Sequence, residues 1–200
     1  SLAQLLYDFP ELGDTDQLLA YLEKGRDAQQ PRADLLLGRL YYEGKQLPAD
    51  AEKAERHLLA AATAGETSAR YYLGQLYRRG YLGNVEPQKA LDNLLAAARG
   101  GQVSADYALA QLFSEGHGIR PQPADAWVFA QLAQANPTPQ SAELLQQLDQ
   151  QLAPDARRQA QQTLARETQA RAAMTPGASN ALALDVLQDD EDDVDGEDSP

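Results

Sequence analysis

Residues 33–44 read ADLLLGRLYYEG, residues 69–80 read ARYYLGQLYRRG, and residues 105–116 read ADYALAQLFSEG. The three stretches are spaced thirty-six residues apart without a gap, and the match extends beyond them: over residues 33–68 and 69–104, fifteen of the thirty-six positions are identical. Such self-similarity at a fixed period marks a chain built from stacked copies of one supersecondary unit. Within the first copy Ala33, Leu37, Leu40 and Tyr41 fall at i, i+4, i+7 and i+8, the stripe of a helix with one buried face. Gly44, Gly80 and Gly116 follow at the same phase and predict helix ends, because glycine enters the left-handed region without a Cβ penalty.

A polar loop with Pro48, Pro87, or Pro121 and Pro123 then leads into a second helix, near 51–64 in the first copy. Ala54, Leu58 and Ala61 face inward there, and Gly65 stops it. Small residues at Gly38 and Gly74 predict close approach of neighbouring backbones. Tyr41, Tyr77 and Phe113 are expected in the core. A single hairpin of this kind cannot bury its own apolar face, so the copies stack. The fold class is therefore all-α, a right-handed superhelical solenoid of helix–turn–helix repeats followed by a disordered acidic tail. The expected divisions are a degenerate, truncated N-terminal repeat over 1–32 and repeats over 33–68, 69–104 and 105–140. A capping helix pair over 141–174, beginning near Ser141 and again at Pro154, and the tail over 175–200 complete the chain.

Charge is distributed unevenly. The chain of 200 residues carries 17 basic and 30 acidic side chains, a net charge of −13, yet residues 175–200 hold nine acidic side chains and no basic one, so the first 174 residues carry only −4. The tail buries too little apolar surface to offset its ordering entropy, although Leu182, Leu184 and Leu187 form an apolar island in it. Overall acidity argues against nucleic acid as a partner. The absence of cysteine from the sequence removes disulfides, thiol catalysis and cysteine-ligated metals.

Neither catalysis nor a cofactor is expected. His57 sits at a position occupied by Asn93 and Phe129 in the other copies, and His117 lies in a Gly-His-Gly turn. No nucleophilic triad, phosphate loop or metal-ligand spacing accompanies them. Binding is the remaining class. Positions that stay fixed between copies serve packing; those that vary, among them Asp34, Leu35, Gln75 and Asp106, mark surface the solenoid can specialise. The candidate partner-binding residues are Arg39, Tyr42, Arg70, Tyr71, Arg78, Arg79, Tyr107 and Gln111, with Leu182, Leu184 and Leu187 in the tail. Arg39, Arg70, Arg78 and Arg79 read as a basic cluster in an acidic chain, and arginine and tyrosine are enriched where interfaces concentrate their energy.

The pattern A-x-x-x-L-G-x-x-Y-x-x-G followed by K-A, as in Ala33–Gly44 with Lys53-Ala54 and Ala69–Gly80 with Lys89-Ala90, resembles the Sel-one-like repeat, a relative of the tetratricopeptide repeat. The third copy departs from it at Ala110, at Asp125 and at Asn136-Pro137. The wider texture, from Leu2 to the Asp-rich end, resembles the alginate-secretion scaffold lipoproteins of pseudomonads. That resemblance implies a non-enzymatic scaffold in the periplasm, at the inner face of the outer membrane. Its implied partners are the alginate acetyltransferase AlgX and the outer-membrane export porin. The lipidated cysteine of those proteins is absent from these 200 residues, so no lipid anchor is expected in this chain. Two alternatives remain at this level: a polysaccharide-binding module that guides alginate polymer, and a repeat adaptor unrelated to alginate.

Overall fold

A computed structural model of the chain describes residues 2–116 and 118–174. His117 and the whole acidic stretch from residue 175, with Leu182, Leu184 and Leu187, lie outside the described residues. Among those described there is no strand. The helices are α1 (Leu2–Asp8), α2 (Thr15–Asp27), α3 (Pro31–Glu43), α4 (Ala51–Thr63), α5 (Thr67–Arg79), α6 (Pro87–Arg99), α7 (Ala105–Glu115), α8 (Pro123–Leu132), α9 (Pro139–Gln151) and α10 (Pro154–Met174). Single 3₁₀ turns follow α1 at Pro10–Leu12 and α8 at Ala133–Ala135.

The thirty-six-residue phase is written into the backbone. Gly44, Gly80 and Gly116 cap α3, α5 and α7 with φ of 65°, 68° and 71°. Each loop is then closed by the same hydrogen bond, from the N–H of Asp50, Glu86 or Gln122 to the carbonyl of Tyr41, Tyr77 or Phe113. The exits of the second helices repeat as well. Gly65 and Gly101 are left-handed at φ 94° and 88°, and Glu66 and Gln102 donate back to Ala61 and Ala97. The same phase extends one unit further toward the N-terminus. Gln29 has φ 54°, the Gln30 N–H donates to the Gly25 carbonyl, and Leu22 is buried like Leu58 and Leu94. The third copy leaves differently. Asn136-Pro137 replaces the glycine, α8 shortens into the 3₁₀ turn, and α9 starts on a capping box between Thr138 and Ser141. Ser141 is thus inside α9 rather than at its start.

Packing between the helices of a hairpin rests on a matched small–large pair. A Cβ on Gly38 would lie 2.6 Å from Leu58 Cγ, and one on Gly74 would lie 2.5 Å from Leu94 Cγ. In the third copy the equivalent pair is Ala110 and Ala130, both fully buried, so the added methyl at one position is met by a shortened side chain at the other. Several expectations need correction. Leu35, Gln75, Arg78 and Asp106, taken as variable surface, are at most 7% exposed. Arg78 reaches Glu115 of the next repeat and Asp106 is held by Arg171 of α10, neighbours a single hairpin does not have. Tyr77 and Phe113 are buried as expected. Tyr41 is only partly buried, stacked on His57 with ring centroids 6.0 Å apart, while the His57 Nδ1 lies 2.8 Å from Asp34.

The C-terminal pair closes the array. α10 packs on α8 yet buries only Ala160 fully, with Leu164 partly covered. Charge does the rest of the docking. Arg171 grips Asp106 of α7 through two hydrogen bonds of 2.7 and 2.9 Å and also donates to Glu167, which receives Arg99 of α6 at 2.9 and 3.1 Å.

Candidate partner-binding groove

The first helices of the repeats, α3, α5 and α7, touch one another in succession and so share one face. The three units present different side chains on it. On α5, Tyr71 Oη accepts from Gln75 Nε2 at 3.0 Å; one repeat later, on α7, Tyr107 Oη accepts from Gln111 Nε2 at 3.2 Å. Because each hydroxyl is served by the amide one turn on, its own proton is left to donate outward. These two pairs, with Arg79 and with Asn136 and Thr138 before α9, line a cleft of about 330 Å³. A second hollow, about 260 Å³, continues from Tyr107 and Gln111 to Glu115, Glu143 and Leu144. Arg79 thus stands at the α5 end of the groove and Glu143 at its α9 end, while Glu115 between them is paired with Arg78.

The remaining tyrosines form a connected cluster beside it. Tyr72 meets Tyr42 and Tyr71 edge-on at 5.4 and 5.3 Å, and Tyr42 lies 5.9 Å from Tyr81. The Arg39 guanidinium sits over the rings of Tyr7 and Tyr72, at 4.6 and 5.2 Å. Burial pushes the Tyr42 hydroxyl up to about 12 and raises Tyr72 and Tyr107 as well, so these rings remain neutral donors throughout the physiological range.

The four arginines do not act as one basic cluster. Arg39 pairs with Glu43 at 3.2 Å. Arg78 is buried, donates to Gln75 Oε1 at 3.0 Å and pairs with Glu115 at 3.5 Å; desolvation depresses its pKa. Arg70 and Arg79 are exposed. No carboxylate among the described residues pairs with either, and Arg79 reaches only the Tyr81 hydroxyl, at 3.2 Å. Of the candidate residues, then, Tyr71, Arg79, Tyr107 and Gln111 line one cleft, Tyr42 lies in the adjacent aromatic cluster, and Arg39 and Arg78 are internal braces. Sequence reasoning passed over Tyr72, Tyr81 and the turn before α9. The doubled Tyr71-Tyr72 was the available signal for the first of these.

Comparison with known proteins agrees with the repeat fold. The Sel1 repeat pattern matches residues 31–66, 67–102 and 103–133, about half of the chain. The chain belongs to the Sel1 repeat family. Among solved structures it is similar to c5321, a protective antigen of uropathogenic Escherichia coli with an SLR fold. That match has a TM-score of 0.71 over the whole chain and 41% of the other, at 22% identity, and so speaks for the fold alone. A Sel1 repeat protein from Oxalobacter formigenes superposes on 66% of the chain and 38% of its own length, with a TM-score of 0.57 at 29% identity. Among curated relatives, proteins named alginate biosynthesis protein AlgK match it closely. That of Pseudomonas putida is 80% identical over 199 residues, and those of Pseudomonas syringae pv. tomato and Pseudomonas aeruginosa are 61% and 55% identical over 96% and 86% of the chain. The chain spans about two fifths of the length of these relatives, 41%, 40% and 36% respectively.

Proposed function

We propose that this chain is the partner-holding part of a Sel1-repeat scaffold in alginate biosynthesis, working without catalysis in the periplasm at the inner face of the outer membrane. Its groove would receive a protein of the alginate machinery, the acetyltransferase AlgX, while the scaffold as a whole links that enzyme to the export porin. The alginate context rests on the similarity to proteins named AlgK. The observation that carries the binding reading is the repeated Tyr–Gln pair, Tyr71 with Gln75 and Tyr107 with Gln111, each joined by a hydrogen bond and lining one cleft. Aromatic area at low conformational cost and hydrogen-bonding groups aimed outward are what a protein interface uses.

A polyuronate is the weaker occupant. Arg39 and Arg78 are already paired with Glu43 and Glu115, and Glu143 stands at one end of the groove. A uronate polymer would meet repulsion there. Calorimetric titration of the full chain with AlgX, and separately with polymannuronate oligomers, each at low and high salt, distinguishes the two. The scaffold reading expects binding to AlgX that changes little with salt, since packed contacts are poorly screened. Binding to the oligomers alone, weakening steeply as salt rises, would replace it with a polymer-guiding role.

A further inference from the structure

Arg79 stands in the last turn of α5, exposed, where it lines the groove. Its Nη1 donates to the Tyr81 hydroxyl at 3.2 Å. Tyr81 in turn lines another hollow, of about 410 Å³, with Tyr41, Tyr42 and Glu43. The Arg79–Tyr81 pair therefore bridges the groove and this hollow. Every polar group at the bridge has a proton to give. A guanidinium carries only donors, and one of them is used on Tyr81. Tyr81, accepting that bond, keeps its own proton, as does Tyr71, which accepts from Gln75 and lines the groove with Arg79. Tyr42 lies 5.9 Å from Tyr81, ring to ring. The hydrogen bond with Tyr81 raises the Arg79 pKa, against the effect of burial, and the nearness of Tyr42, Tyr81 and Tyr71 raises it further. One cation and a ring of tyrosine hydroxyls are thus gathered at one point.

No carboxylate among the described residues serves as acceptor for this set. Glu115 pairs with the neighbouring Arg78 at 3.5 Å, not with Arg79. Glu43, in the adjoining hollow, pairs with Arg39 and Lys45 and accepts from the Tyr7 hydroxyl. Of two adjacent arginines, one is matched and the other faces outward at the groove. The ligand that fits is an anion with oxygens able to take the guanidinium and a hydroxyl together. A carboxylate does so with charge-assisted hydrogen bonds.

We propose that Arg79, with the Tyr81 and Tyr71 hydroxyls beside it, receives a single carboxylate, the aspartate or glutamate side chain of the protein that occupies the groove. The assignment rests on the groove being a protein interface. A polyuronate suits the site less well, because it repeats its carboxylate on every sugar and needs a row of cations. Arg70, the other arginine without a carboxylate, stands nine residues earlier on α5 and so on the opposite side of that helix. Glu143 lies at the far end of the groove. One acidic side chain on a folded partner needs only the one cation, and its methylene stem can lie against the exposed Tyr81 ring.

Calorimetric titration of AlgX with the full chain and its Arg79 variants tests the site. Arg79→Gln should weaken binding about 10-fold. Arg79→Glu should weaken it by about a further 10-fold or more, because two carboxylates would then face each other. Arg79→Lys keeps the charge but loses the paired geometry, and should fall between the parent and Arg79→Gln. Parental affinity in Arg79→Gln, or equal affinity in Arg79→Gln and Arg79→Glu, would overturn the carboxylate site and leave the protein interface standing. Failure of the parent chain to bind AlgX at all would overturn both. Polymannuronate oligomers are run against the same variants. Their binding to the parent, abolished by Arg79→Gln, would assign the site to a uronate and overturn the protein as its source.

Discussion

At the scale of single residues, the repeats are held in register by pairs whose members depend on each other. Gly74→Ala would drive a Cβ to 2.5 Å from Leu94 Cγ and 3.3 Å from the Ala90 carbonyl oxygen. An overpacking cost of about 1–3 kcal/mol is expected. Leu94→Ala alone should cost about 2–5 kcal/mol through the cavity it leaves. The double variant recreates the Ala110–Ala130 arrangement of the third repeat and should cost clearly less than the two singles together, which a urea-unfolding cycle measures. Gln29 offers the opposite case. It holds φ 54° where Gly65 and Gly101 stand one and two repeats later, so Gln29→Gly should raise stability by roughly 0.5–1 kcal/mol as the Cβ strain is relieved. A gain in the urea midpoint checks it; a loss would mean that the glutamine side chain contributes more than its backbone costs.

This is also the scale at which the sequence was most readable. The glycines, the alanines and Leu58 with Leu94 repeat because the first two hairpins pack through the same contacts, and identity at a fixed period exposes them. Leu35, Gln75, Arg78 and Asp106 were misread for the same reason. Variation between copies was taken as exposure, whereas all four are buried, each among different side chains. The basic cluster also dissolved in three dimensions. Glu43 stands one helical turn after Arg39 and was legible as its i,i+4 partner, whereas Glu115, which pairs with Arg78, lies a repeat away in sequence.

At the scale of elements, α10 is the most informative. Its helical length, Pro154–Met174, and its polarity were legible, but not the way it attaches, because the four residues of its ionic clamp come from three helices. Asp106 is 7% exposed, and breaking a buried pair by removing one partner leaves an uncompensated charge. Arg171→Ala should therefore loosen α10, detectable as faster amide exchange along it, with the hairpins of residues 31–116 unaffected. The clamp is also sensitive to acid. Hydrogen bonds from Arg99, and then from Arg171, hold the Glu167 carboxyl below its ordinary value near 4.5. A depressed folded pKa gives stability that is present above the unfolded value and is lost as pH falls through the folded one. The opening of α10, read as exchange corrected for the intrinsic pH dependence of amide exchange, should accordingly be constant at neutral pH and rise once the pH drops below about 4.5. In Glu167→Gln that acid-dependent increment should shrink.

At the scale of the whole molecule, a solenoid separates its duties between faces. The seams and the α10 clamp supply stability, while the first helices carry side chains that differ from repeat to repeat on an otherwise constant frame. The all-α repeat architecture was readable from periodicity alone, since thirty-six-residue spacing and capping glycines leave few alternatives. The groove was only partly readable: Tyr71, Tyr107 and Gln111 were picked out, but the turn before α9 that completes the cleft belongs to no repeat and gives no periodic signal. The central claim is that this inner groove, and not the outer face, holds a protein of the alginate machinery. Its most direct test is the affinity of the full chain for AlgX in three forms: unaltered, Tyr71→Ala with Tyr107→Ala, and Leu59→Ser on the exposed outer side of α4. Loss of two central aromatic contacts should weaken binding about 10-fold or more, with helicity unchanged by circular dichroism and the Leu59 variant binding as the parent does. Undiminished binding by the double-tyrosine variant, or loss confined to the Leu59 variant, would contradict the account.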